Sequence, residues 1–441
     1  MGDWLRMTAA ALGRGIAAGG IDPVDLAQAH LDAIAAHPLG PRIYARTTPD
    51  RAFAEAAAAR ARAKAGQRRD PLDGVPLSWK DLYDSAGTGT EAGTRLMAGR
   101  VPMADARVLA NATAAGTVCL GKTHMSEIAF SGLGYNPMAQ TPPNVNDPEG
   151  LPGGSSSGAA ASVAFGLAPA AIGSDTGGSI RLPATWNDLV GFKPTHDALP
   201  TDGVIPLCAS FDTVGPLCRS VEDAALVYAA LGGRATDLTG ASLQGVRLAV
   251  LDTIVLDDLD EAPARAFDHA LTRFAAAGAT ITRVAVPELQ RAMALALPLF
   301  GAEAYAAWRD LADAAPERMY PMILERLRSG AAVLAADYLA GWEEMRAIRA
   351  RYAQATAGVD AVLWPGSAIL PPKTERVATD AEYYRAVNLR TLRNTRIGNL
   401  MGLCGVSLPT GTPSCGVMLH AAPGADGRLL RLAAGAEAAL A

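Results

Sequence analysis

Cysteine is scarce in this chain. The five residues Cys119, Cys208, Cys218, Cys404 and Cys415 are scattered, odd in number and never two residues apart. That spacing excludes a disulfide framework and a zinc ribbon, and it reads as the reduced thiols of a cytoplasmic protein. Charge is also sparse: 19% of residues are charged and the net charge is -5. No basic excess is left to grip nucleic acid or an anionic membrane surface. Long apolar runs are missing too. The most apolar stretch, Ala159 to Ile172, is too short for a bilayer span and is broken by Gly166 and Pro169. The first residues carry Asp3 and no basic-then-apolar leader pattern. The expectation is a cytoplasmic enzyme with no nucleic-acid or membrane partner and no metal site.

Glycine and small hydroxyl residues are abundant, and they concentrate in one place. The stretch LPGGSSSGAAASVAFGLAPAAIGSDTGGSIRLPAT, residues 151 to 185, holds two serine-bearing glycine clusters around one apolar run. Glycine costs conformational entropy on folding, so a cluster marks backbone that turns tightly or approaches something closely. Around it the chain alternates between periodicities. Asp22-Pro23 with Asp25 opens a helix to about Ala36, and Pro49 to Lys64 is an alanine-rich helix. The first 66 residues are therefore read as helices. VPLSW, TVCLG and AAIGSD read as strands, with helices at Ala106 to Gly116 and Ala159 to Gly166 between them. Farther on, VRLAVLD, TITRVAVP and VDAVLWP read as strands, and residues 287 to 355 as mostly helical. Such alternation predicts an α/β layer architecture with a buried sheet. No repeat or linker divides it, so residues 1 to 441 are read as one domain.

Several chemistries compete for the two clusters. Gly154 to Gly158 matches the G-x-S-x-G elbow with Ser156 as nucleophile, but NDPEGLPGG before it is no strand. Asp175-Thr176-Gly177 matches an aspartic-protease tripeptide, yet no second such tripeptide supplies the partner carboxylate. Of six histidines only His124 and His196 lie near the clusters, which serves a serine-histidine triad poorly. His124 reads as a packing or capping residue. A lysine-activated serine remains, with Lys80 at the end of GVPLSWK. As a base near neutrality, a buried lysine needs a downward pKa shift of roughly 3 units.

GVPLSWKD, GGSSSGAAASVAFGL, GSDTGGSIRLPA, GFKPT and SFDTVGPLCRSVEDAA, in that order, resemble the amidase signature family. The resemblance is strong from about residue 70 to 232, fades through 235 to 375 and recovers weakly in NTRIGNLMGLCGVSLPTG. It implies a mixed, twisted sheet sandwiched between helices, with residues 67–232 as catalytic core, 233–375 as a divergent substrate-pocket region and 376–441 returning to the core. It further implies Ser179 as nucleophile, Ser155 as bridging serine after a cis Gly154–Ser155 peptide, and Lys80 as base. The oxyanion donors it implies are the backbone N–H groups of Thr176, Gly177, Gly178 and Ser179, each worth about 3 kcal/mol of barrier. Asp175 and Arg181 are assigned to holding the loop. Ser157 stands where the family more often has glycine, and Asn187 where it often has cysteine.

The activity implied is hydrolysis of a small-molecule amide through an acyl-enzyme, with no cofactor. Ester or carbamate hydrolysis on the same machinery is an alternative. Another is the glutamine-hydrolysing component of a tRNA-dependent amidotransferase, although its DGIRYG-like motif is absent. A homodimer is left open. Trp308, Tyr320, Trp342 and Trp364 are weighed as pocket residues against ordinary core, and core is favoured.

Overall fold

The computed structural model describes residues 4–441. These form one mixed sheet of eleven strands. In chain order the strands are β1 (Tyr44–Thr47), β2 (Pro76–Lys80), β3 (Val118–Thr123), β4 (Ala170–Ser174), β5 (Val190–Lys193) and β6 (Val214–Cys218). They continue with β7 (Arg247–Leu251), β8 (Thr280–Val284), β9 (Ala361–Pro365), β10 (Cys404–Pro409) and β11 (Gly416–Ala421). Their spatial order is β1-β3-β2-β4-β6-β5-β10-β11-β9-β7-β8.

Pairing is parallel around β2, between β3 and β4, and antiparallel through β6, β5, β10 and β11 at the centre. It turns parallel again where β7 joins β9 to β8. Every residue of β2, β4, β6 and β9 is buried. Successive strand residues point to opposite faces, so unbroken burial means that both faces are covered. Helix Ser157–Ala164 packs on β4, Val221–Ala230 on β6, and Asp426–Leu440 on β10. The edge strands differ: β1 and β8 leave most of their residues at least partly exposed and carry Arg46 and Arg283, as edges that avoid further pairing do.

Helices Pro23–Ala36 and Pro49–Lys64 form where the sequence places them, and Asp22 Oδ1 caps the first by accepting from Val24 N–H. The first 66 residues are not all helical, however. Tyr44–Thr47 is pulled into the sheet by β3, where the ladder outweighs local preference. Strands β5, β6, β10 and β11 carry no alternation for sequence reading to find, because both their faces are buried. Among the described residues no helix is long and apolar enough to cross a membrane. None of their His, Cys, Asp and Glu side chains cluster in a way that could hold a metal ion.

Candidate active site

Parallel pairing of β2 and β4 sets Trp79 opposite Ile172, so Lys80 and Ser174 end neighbouring strands together. Lys80 Nζ donates to Ser155 Oγ at 2.6 Å and to Ser174 Oγ at 2.8 Å. The side chain is fully buried and forms no ion pair with a carboxylate among the described residues. Burial pushes the Lys80 amine down to about 7, partly opposed by the charges of Asp212 and Asp175. Asp212 is itself pushed up to about 6 by burial, against donation from the Thr176 hydroxyl and from the N–H groups of Leu207 and Cys208.

Ser155 follows a cis peptide from Gly154, and its carbonyl accepts from Ser126 N–H at 3.1 Å. Ser156 turns the other way. Its Oγ lies 3.2 Å from both the N–H and the carbonyl of Ser174, and its N–H donates to the Ser179 carbonyl at 3.3 Å. Ser156 thus ties the two clusters together and faces away from any elbow role. Ser157 Oγ is buried at the start of its helix without a partner among the described residues.

The second cluster is organised around Asp175. Its carboxylate accepts from Gly178 N–H at 2.8 Å, Ile180 N–H at 3.2 Å, Arg181 Nε and Nη2 at 3.0 Å, and Asn399 Nδ2 at 2.7 Å. Burial alone would raise this acid, but Arg181 and the other donors outweigh it and hold Asp175 at about 2. Arg181 Nη1 donates to His420 Nε2 at 2.9 Å, and because a guanidinium only donates, that nitrogen must be the unprotonated one. Gly178 has φ +129°, and a Cβ there would meet Thr395 Oγ1 at 1.9 Å. Thr395 Oγ1 in turn donates to the Gly177 carbonyl at 2.8 Å.

One expectation is narrowed by these bonds. Gly178 N–H is already committed to Asp175, which removes it from the oxyanion donors the resemblance implied. Among the described residues the N–H groups of Thr176, Gly177 and Ser179 have no acceptor. No hydrogen bond joins the hydroxyls of Ser155 and Ser179 among those residues either. The histidines stand apart. His124 is driven down to about 4 by burial, and His196 sits on the Ala209 carbonyl at 2.9 Å.

The Asp175–Arg181 pair is fully buried, so each charge depends on the other. Arg181→Met strands the carboxylate and is expected to cost about 3–5 kcal/mol of stability. Urea unfolding monitored by circular dichroism measures this, and a loss below about 1 kcal/mol, the range of exposed pairs, would contradict it.

Ser179 opens on a narrow cleft of about 30 Å3, lined by Thr176, Gly177, Phe130, Phe300, Arg326 and Arg396 among others. Sequence reading missed the last four. Its own aromatic candidates lie elsewhere: Trp364 stacks on His420 at 3.8 Å, Trp342 on Phe211 at 5.2 Å, and Trp308 donates to the Pro206 carbonyl. A separate cavity of about 470 Å3, lined by Lys193, Arg349 and Asn399 among others, holds none of the site serines.

The family model described as Amidase matches residues 25–430. The chain belongs to the amidase signature family. It is 35% identical over 380 residues to 2-amino-5-chloromuconic acid deaminase of Comamonas testosteroni, covering 84% of this chain and 82% of that one. It is 32% identical to a glutamyl-tRNA(Gln) amidotransferase subunit of Pseudomonas syringae pv. tomato, covering 92% and 91%. A solved structure described as an amidase superposes with a TM-score of 0.89 at 31% identity, covering 99% of this chain and all of that one. Membership of this family makes the chain an amide-hydrolysing enzyme.

Proposed function

We propose that the chain is a free-standing amidase, cleaving a small carboxylic amide to acid and ammonia or amine through an acyl-enzyme on Ser179. The observation that carries this reading is Lys80: a buried amine without a carboxylate partner, brought down to about 7 and held 2.6 Å from Ser155 Oγ. In the neutral amine Nζ is an acceptor, so the same contact can run with the Ser155 hydroxyl as donor.

In the proposed sequence Lys80 takes the Ser155 proton as Ser155 takes that of Ser179. Ser179 Oγ then bonds to the amide carbon. The carbonyl oxygen gathers charge and is met by the unpaired N–H groups of Thr176, Gly177 and Ser179, donors that need no reorganisation. Ser155 returns a proton to the nitrogen, the C–N bond breaks and the amine departs. Water enters by the same relay, adds to the acyl carbon and releases the acid with Ser179 restored. Asp175, Arg181 and Thr395 act as positioning residues that set the direction of the donors. The closing of the Ser155–Ser179 hydroxyl contact is assigned to substrate arrival, since catalytic hydrogen bonds often tighten only then. The single eleven-stranded sheet supports treating the chain as one domain.

Activity should follow the neutral fraction of Lys80. Because the base works deprotonated and its pKa is depressed to about 7, kcat/KM for an uncharged amide is expected to rise with pH through about 7 and stay level above. A His124 base, held near 4, would already give a plateau by about pH 6. Asp212→Asn removes an anion that raises the Lys80 pKa, so it should move the limb to lower pH. A limb unmoved by that change, or a plateau from about pH 5, would contradict the assignment.

The similarity to the amidotransferase component supports a second reading, glutamine hydrolysis for transfer to tRNA. Turnover of glutamine alone among a panel of small amides would favour it.

A further inference from the structure

Among the described residues the cleft beside Ser179 is lined by two guanidinium groups and no acid. Arg396 is 8% exposed and its side chain makes no hydrogen bond or ion pair among the described residues. Burial, and then the charge of Arg326, brings its pKa down to about 9, so it is still a cation near neutrality. Arg326 donates from Nη1 to the Phe130 carbonyl at 3.0 Å and lies 4.2 Å over the Phe130 ring, again without a carboxylate. The contrast with the neighbourhood is sharp. Arg385 and Arg390, on the helix just before, both reach carboxylates, at 2.6 and 3.0 Å.

Two like charges without a carboxylate partner, Arg396 buried and Arg326 half-buried, are costly at one place unless something else neutralises them. Guanidinium groups meet carboxylates in a two-pronged geometry that no other cation offers. Phe130, Phe300, Leu207 and Leu392 add apolar lining to the same narrow cleft, which suits a short substrate. We infer that the substrate is a short amide bearing a carboxylate, as in the monoamide of a small dicarboxylic acid. Its carboxylate is held by Arg396 and Arg326 while its amide carbon lies at Ser179. This rests on the amidase reading above and names the substrate class of that site.

The test compares the monoamides of malonic, succinic, glutaric and adipic acids with uncharged amides of matching length, such as butyramide beside succinamate. The parent enzyme is expected to prefer the best anionic amide by about 100-fold in kcat/KM, the scale of a buried charge-assisted contact. Arg396→Met and, separately, Arg326→Met should each collapse that preference. Arg396→Lys should recover only part of it, because an ammonium keeps the charge without the fork. A second readout needs no turnover: malonate to adipate should protect Ser179 of the parent from a fluorophosphonate, and not in Arg396→Met. If the parent hydrolyses neutral amides as well as anionic ones, and the dicarboxylates give no protection, the carboxylate assignment is wrong. If Ser179 is not labelled at all, it is the amidase mechanism that fails instead.

Discussion

Ser179→Ala is expected to abolish amide turnover, by about 10^6-fold in kcat if it behaves like other serine nucleophiles acting within a catalytic set. The geometry gives the reason. Thr176, Gly177 and Ser179 have N–H groups without an acceptor among the described residues, but without Oγ no bond to the amide carbon forms for them to stabilise. The change removes one oxygen from a nearly buried side chain whose hydroxyl bonds to nothing among the described residues, so folding should be unaffected. Mass spectrometry after fluorophosphonate treatment should find the label on Ser179 and on no other serine. Label on Ser156 would revive the elbow reading, which the bonds of Ser156 to Ser174 oppose.

The second large effect is at Lys80. Lys80→Met fills the same buried space without a base and should reduce amide hydrolysis by about 10^4-fold, the upper range for a positioned acid–base group. Esters should lose less, because an alkoxide or phenoxide leaves with less help from a proton than an amine does. A matched p-nitrophenyl ester and p-nitroanilide measure the difference directly, and equal losses on the two would count against proton return through Ser155. Stability should move the other way. The native state holds this lysine near 7 rather than its usual 10.5, so keeping it costs folding energy at every pH below about 10. At neutral pH that cost is on the order of 4–5 kcal/mol, and methionine does not incur it. An inactive variant that melts no lower than the parent separates chemistry from folding.

Much of this site was legible in the sequence because it is local. Lys80 ends a strand with a recognisable apolar run, and both serines sit in glycine clusters whose order identifies the family. What was not legible lies far along the chain. Arg326 falls in a helix that carries no motif, and Arg396 in the weakly matching NTRIGNL segment, which says nothing of where its side chain goes; only the packing of those helices brings the two to the cleft. Phe130 and Phe300 were invisible for the same reason, while Trp308 and Trp364 went to the core and Trp342 packs half-buried against it. The commitment of Gly178 N–H to Asp175 is a matter of angles within one loop, which composition does not encode. The strand Tyr44–Thr47 escaped because its neighbours in the sheet, and not its own four residues, make it a strand.

The loop that presents Ser179 is fastened by residues more than two hundred positions downstream: Thr395 to the Gly177 carbonyl and Asn399 to the Asp175 carboxylate. A nascent chain therefore carries its whole lysine and serine set long before it carries the clasp that fixes their geometry. The geometry of the loop is complete only once the helix Arg393–Leu400, which carries Thr395 and Asn399, has been made and packed. The setting of Ser179 is thus a property of the tertiary fold and not of its own glycine-rich loop.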